Sequence, residues 1–287
     1  MFRFDIERLN TNEELGSSIN ASVYPYQKYP EDDRWAVKHM FARDFPTLRK
    51  LIQEIVIGFS CDHPAILPMK GYYIEEAKPI GWNLYIKMPR MQGTLKDILE
   101  KHKKDNDPIP EKDIIKYFYN IACGLEYLHK RKIAHRDVKP ANILFGKDGQ
   151  VVLGDIGVGK FVPEDEALVY ISDIAGTELY RAPEMSAGAP KTLKKDVYKA
   201  DSWSLGIVIG ELCLLHRKER RPNQALDAYL KSQLAQIETK YSKILAALVG
   251  ELLHPKMEQR KSVAQIRQAL EDHYGNILVR EHSRGVQ

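Results

Sequence analysis

One stretch of the chain gathers side chains suited to phosphate and metal chemistry. It reads His135-Arg136-Asp137-Val138-Lys139-Pro140-Ala141-Asn142, and thirteen residues beyond Asn142 comes Asp155-Ile156-Gly157. Asn142 and Asp155 offer hard oxygen ligands, and Asp137 adds a second carboxylate just upstream. Such ligands suit magnesium, which is commonly held by one or two carboxylates together with substrate phosphates. The chemistry implied is therefore that of a phosphate-bearing substrate. Gly154-Asp155-Ile156-Gly157-Val158-Gly159-Lys160 imitates a phosphate-binding P-loop, but Phe161 stands where a Ser or Thr must reach the metal, so that reading is set aside.

These residues need elements to position them. Ala141 to Phe145 and Val151 to Leu153 flank the turn Gly146-Lys147-Asp148-Gly149 and predict a hairpin, with Asn142 and Asp155 on opposite arms. Upstream, Ser22 to Tyr24, Arg34 to Lys38 and Asn83 to Met88 read as strands. Between them, Leu48, Leu51, Ile52, Ile55 and Phe59 recur at helical spacing over Phe45 to Phe59. After Pro89 to Gly93 the pattern turns helical. Proline and acids at Pro110 to Asp113 open a helix whose apolar face is Ile114, Phe118, Ile121, Leu125 and Leu128. Further helices are expected at Trp203 to Leu214, Ile244 to Leu253 and Val263 to Leu270, with a terminal tail after about Gly275.

The order of these motifs, from about Leu9 to Leu270, resembles the protein kinase family. The resemblance implies an α+β, bilobal fold: a small, mainly β N-lobe with one main helix (1–88), a hinge (89–93), and a larger, mainly α C-lobe (94–275), followed by a tail (276–287). It implies ATP and Mg2+ as cofactors. Carried over by position, Asp137 would be the base for the substrate hydroxyl, Asn142 and Asp155 would hold magnesium, and Lys139 would contact the γ-phosphate. Lys38 in Ala36-Val37-Lys38 resembles the strand lysine of the α- and β-phosphates, and Glu54 resembles its helix partner. Met88 resembles the gatekeeper. Pro89 would then offer only a carbonyl to the adenine and Met91 an N–H, while Val23, Ala36 and Leu144 sandwich the base. His135 is expected to pack, not to act as acid or base.

Gly176 to Glu184 resembles the substrate-docking end of the activation segment. Asp201 resembles the acid that braces the catalytic loop, and Arg260 the arginine that pairs with Glu184. Lys139 and Thr177 resemble the serine/threonine branch, so protein substrates with Ser or Thr are implied. Arg136 before Asp137 implies a cationic pocket for a phosphate placed by an upstream activating kinase. Ser172 is the expected site, with Tyr170 or no site as alternatives, and Asp173 could supply a standing charge instead.

The sequence also departs from the pattern. The phosphate-covering loop has Gly16, Ser18, Ala21 and Val23, so serine and alanine replace two glycines, which restricts close backbone approach to phosphates. Ile156 replaces the usual phenylalanine, and Gly58, four residues after Glu54, stands where a large apolar residue is usual. The altered loop is expected to weaken ATP binding or slow turnover, with loss of activity as the alternative, and a pseudokinase acting as a binding or scaffolding module is the alternative function.

Composition narrows the remaining classes. The chain has 287 residues, 44% hydrophobic and 29% charged, which excludes fibrous and wholly disordered classes. Glu211 interrupts the apolar run Leu205 to Leu215 well short of the ~18–20 residues that span a bilayer, so no membrane role is expected. The amino terminus shows no secretory signal, so a cytoplasmic location is expected, with the nucleus left open. Cys61, Cys123 and Cys213 fit neither a zinc nor a disulfide spacing and read as buried free thiols. The net charge of +4 gives no support to nucleic-acid binding, and Lys101 to Lys104 and Arg217 to Arg221 read as solvated helix ends or loops. Oligomeric state is not legible in the sequence.

Overall fold

The structure, a computed structural model, describes residues 5–18, 21–27, 33–147, 149–156, 160–161, 168–169, 176–186, 195–216 and 225–282. Its first part is one antiparallel sheet in the order β1-β2-β3-β5-β4, built from β1 (Gly16–Ser18), β2 (Ala21–Pro25), β3 (Trp35–Ala42), β4 (Gly71–Glu76) and β5 (Trp82–Pro89). Helix α1 (Phe45–Ser60) crosses one face. The Asp44 carboxylate accepts the Thr47 N–H and Pro46 sits in the first turn, both favoured ways to open a helix. The apolar side of α1 packs with Met40, Ala42, Leu84 and Ile86 of the sheet.

β5 extends through Pro89, so the connecting segment begins at Arg90. Arg90 N–H donates to the Arg34 carbonyl, and in an antiparallel ladder the neighbouring rung, Trp35 opposite Pro89, then requires no donor from position 89. Proline fits there without cost to the sheet.

The second part is mainly helical. Strand β6 (Gly93–Thr94) leads into α2 (Leu95–Asp105), where Thr94 and Asp97 form a reciprocal capping box. Helix α3 (Glu111–Lys130) buries Ile114, Phe118, Ile121, Leu125 and Leu128. After β7 (Ile133–Ala134) comes the hairpin β8 (Ile143–Phe145) and β9 (Val151–Leu153), which β6 extends. The expected first arm is shorter than read from sequence: Pro140–Asn142 forms a 3-10 turn, since Pro140 has no N–H to give a ladder. Asn142 therefore stands on the turn, not on a strand.

Short pairs β10 (Lys160–Phe161) with β7, and β11 (Leu168–Val169) with β12 (Lys195–Asp196), lie along the following segment. Helix α4 (Val197–Leu214) is apolar on nearly all sides and runs through the core, while α5 (Leu226–Lys240), α6 (Lys243–Leu252) and α7 (Val263–His282) pack around it. The expected tail after Gly275 is corrected in part. The helix breaks at Tyr274, whose hydroxyl shares a hydrogen bond with Ser242 Oγ (2.8 Å), then resumes to His282. A single glycine costs a helix only ~1 kcal/mol, which by itself does not end one.

The two parts are joined by more than the hinge. Leu153 N–H donates to Ala65 C=O and Leu67 N–H to Leu153 C=O, pinning the segment after α1 to β9. Cys61 and Cys213 are buried and Cys123 half-buried, all free. No helix among the described residues is long and apolar enough to cross a membrane.

Candidate active site

The cleft between the two parts collects the residues singled out in the sequence. Lys38, on β3 opposite Ile86, reaches across with its ammonium 2.6 Å from Glu54 Oε1 and 2.7 Å from Asp155 Oδ1. Burial opposes the charge on Lys38, but the two carboxylates outweigh it and hold the ammonium above the ordinary lysine range. Burial likewise pushes the Glu54 carboxyl up, against the pull of Lys38. Asp155 would also be raised by burial, yet Lys38 keeps it below the usual carboxylate range. Its backbone takes a left-handed conformation (φ 51°), which turns the side chain toward Lys38 just past the end of β9.

Asp137 is the most heavily ligated carboxylate in the site. Its Oδ1 accepts the Thr177 N–H (2.8 Å) and hydroxyl (2.9 Å). Its Oδ2 accepts Lys139 Nζ (2.7 Å) and Asn142 Nδ2 (2.9 Å). Burial alone would raise its pKa, but the Lys139 and Thr177 hydrogen bonds lower it, so the carboxylate is ionised and aimed. Lys139 also donates to Thr177 Oγ1 (2.9 Å), closing a Lys139-Asp137-Thr177 triangle. Sequence reading put Thr177 in docking. Its contact with Asp137 depends on the chain returning from forty residues away, which no local pattern signals.

That return requires glycine. At Gly176 (φ 83°) an added Cβ would lie 2.2 Å from the Arg136 carbonyl oxygen, a backbone atom that cannot step aside.

The loop beneath is fixed from α4. Asp201 accepts the N–H groups of His135 and Arg136, both at 2.8 Å, and His129 Nε2 at 2.9 Å. Burial works against its charge, but the His129 hydrogen bond and nearby positive charge hold its carboxyl below the usual range. His135 is fully buried: Nδ1 accepts the Asp137 N–H and Nε2 donates to the Gly154 carbonyl. Both ring nitrogens are thereby engaged, which leaves the ring no acid or base work. Farther off, the guanidinium of buried Arg260 grips both oxygens of Glu184 at 2.6 and 3.0 Å.

Gly16, Val23, Ala36, Met88, Pro89, Met91 and Leu144 all line the same cleft. Ser18 ends β1 beside it, and Ser17, not singled out before, faces in. Met69 was also missed. Its thioether lies where a Cβ on Gly58 would be, 2.2 to 2.3 Å from that position, so it fills the space that the missing side chain leaves. Ser172, Tyr170 and Asp173 lie outside the described residues.

The protein kinase domain family model matches residues 9–274. The chain is 32% identical over 213 residues to mitogen-activated protein kinase kinase 7 of Arabidopsis thaliana, covering 74% of this chain and 64% of that protein. It is 28% identical over 267 residues to serine/threonine-protein kinase Nek6 of Oryza sativa subsp. japonica, covering 91% and 47%. A third relative, mitogen-activated protein kinase sma-5 of Caenorhabditis elegans, is 28% identical over 240 residues, covering 80% and 45%. The chain spans about half the length of several curated relatives it matches.

Proposed function

The chain belongs to the protein kinase family, and from that premise we propose that it transfers the γ-phosphoryl group of ATP to serine or threonine hydroxyls of protein substrates. The observation that carries this reading is the Lys38 ammonium bridging Glu54 and Asp155, since a lone flexible lysine would orient phosphates poorly.

The residues present suit the groups the reaction needs. Val23, Ala36 and Leu144 give the cleft apolar walls for a base, and Met91 offers its N–H beside Pro89. Asn142 gives its amide nitrogen to Asp137, which leaves its carbonyl oxygen for a cation. Asn142 and Asp155 suit a magnesium ion shared with substrate phosphates, the way this ion is commonly held. Magnesium, when bound, neutralises charge on the phosphates.

The chain's own residues do the rest. Glu54 keeps Lys38 extended toward the α- and β-phosphates. Lys139 offers its ammonium to the γ-phosphate, and Asp137 accepts the proton of the substrate hydroxyl while Thr177 and Asn142 fix its two oxygens. Ser18 and Ala21, in place of glycines, limit how closely β1 and β2 approach the phosphates. An upstream kinase acting near Ser172 fits the same reading.

The test is transfer of radiolabel from ATP, with magnesium, to a generic basic protein. Signal well above that of Asp137→Ala is expected. Signal no higher than that background, with nucleotide still bound, would assign a binding module instead.

A further inference from the structure

Four charged side chains gather on the hinge side of the cleft mouth. The Glu13 carboxylate accepts from the Arg90 guanidinium at 2.8 Å, and the Asp33 carboxylate from Lys147 Nζ at 2.6 Å. The two pairs form one cluster. The Lys147 hydrogen bond and charge hold the Asp33 carboxyl below the usual carboxylate range, and the positive charge of Arg90 adds to that pull. Charge therefore alternates from Glu13 through Arg90 and Asp33 to Lys147. A lone exposed ion pair contributes little, but linked pairs of alternating sign support one another.

Placement gives the cluster its leverage. Glu13 precedes Leu15 and Asp33 precedes Ala36, and both Leu15 and Ala36 line the cleft from the first part. Lys147 follows Leu144, which lines it from the second part. The base of the Lys147 turn is fixed to the connecting segment, because Gln92 N–H donates to Phe145 C=O (2.9 Å) and Gly146 N–H to Gln150 C=O (2.8 Å). Arg90 opens that segment, and its N–H donates to the Arg34 carbonyl (2.8 Å), next to Asp33. The Asp33–Lys147 pair thus spans the two parts, while Glu13–Arg90 ties the lead-in of β1 to the connection between them. We propose that this cluster is an electrostatic clasp that limits how far the cleft mouth opens and thereby slows the departure of a bound nucleotide. The effect on departure rests on the cleft holding a nucleotide, whereas the limit on opening does not. Glu13, Asp33 and Lys147 are 47%, 50% and 55% exposed, so salt reaches them. The screening length falls from ~30 Å at 0.01 M salt to ~3 Å at 1 M, so the clasp loosens as ionic strength rises.

The test has two arms on the full chain. In the first, spin labels at Ile80→Cys and Lys103→Cys, with Cys123→Ser in the background, report the separation of the two parts without nucleotide by double electron–electron resonance. At low salt Lys147→Glu is expected to lengthen that separation, and the swap Lys147→Glu with Asp33→Lys to restore it. In the second, stopped-flow release of methylanthraniloyl-ADP with magnesium is expected to be about threefold faster in Lys147→Glu at ~0.01 M salt and to return to the wild-type rate in the swap. Glu13→Lys, on the other pair, is expected to act in the same direction. At ~1 M salt the ratio of variant to wild type should approach one. An unchanged separation, an unchanged release rate, a defect that the swap leaves in place, or a ratio that persists at high salt each overturns the proposal. Failure of the labelled ADP to bind at all would count against the proposed function instead, and the first arm alone then decides whether the clasp limits opening.

Discussion

Thr177 does more at the residue scale than its place in a docking loop suggests. Its hydroxyl donates to Asp137 and accepts from Lys139, so it couples the Asp137 carboxylate to the Lys139 ammonium beside it. Thr177→Ala is expected to lower kcat roughly 10- to 100-fold, the worth of one hydrogen bond to a charged group, while the KM for ATP moves little. Thr177→Ser, which keeps the hydroxyl, is expected to recover most of the rate. An unchanged kcat in the alanine variant would remove Thr177 from the mechanism. Asp201 carries a different consequence. Because its native pKa lies below the unfolded value, its contribution to stability is present above the ordinary aspartate range and fades as pH falls through the lowered native pKa. Asp201→Asn should therefore cost roughly 1–3 kcal/mol at neutral pH in urea unfolding. The gap between variant and wild type is expected to narrow once the pH drops below about 4, and a gap that stays constant would show that the charge is not what matters.

The contact between α1 and Met69 belongs to the scale of elements. Gly58 looked in the sequence like a defect in the helix that carries Glu54, but Met69 lies over it and fills the gap from the neighbouring segment. Methionine suits this, being unbranched and adaptable. Met69→Ala should leave a void and cost about 1–2 kcal/mol, less than a fully buried methionine, with reduced turnover as Glu54 loses support. Restoring bulk from the helix side, in Gly58→Leu with Met69→Ala, should recover part of both. A double-mutant cycle with coupling below about 0.5 kcal/mol would separate the two sites. Local pattern made α1 and α3 legible, because apolar spacing agrees there with tertiary burial, while the apolar run Trp203 to Leu214 marked the body of α4 but not its start at Val197. It missed α5, which buries only Leu230 and Ile237, and β4, an edge strand with both Tyr72 and Tyr73 exposed. It also ended α7 at Leu270, short of His282. In the site, residues with family-ordered motifs such as Lys38, Asp137 and Asp155 were legible, whereas Thr177 and Met69 act through partners distant in sequence, visible only once the chain is folded.

The two parts of the whole molecule meet across the cleft through a small set of groups. Lys38 and Glu54 come from the first part and Asp155 from the second, and the lining residues Val23, Ala36, Asn142 and Leu144 are divided between them. Outside the cleft the parts also meet through an exposed, solvent-screened pair, Lys147 with Asp33, whose N–O distance is 2.6 Å. A ligand seated in the cleft therefore touches both parts and stabilises the folded chain. By mass action, ATP with magnesium at about 100 times its Kd should add ~2.7 kcal/mol, which for a chain of this size raises Tm by several degrees. Chelating the metal should reduce that increment, and Asp155→Asn should remove most of the part that depends on magnesium while leaving the metal-free shift. Lys38→Ala should weaken both, since it removes the phosphate contact and leaves Glu54 buried without its partner. A thermal shift that ignores magnesium in the wild type would mean that Asn142 and Asp155 do not hold the ion, and the Asp155 carboxylate would then serve only to orient Lys38.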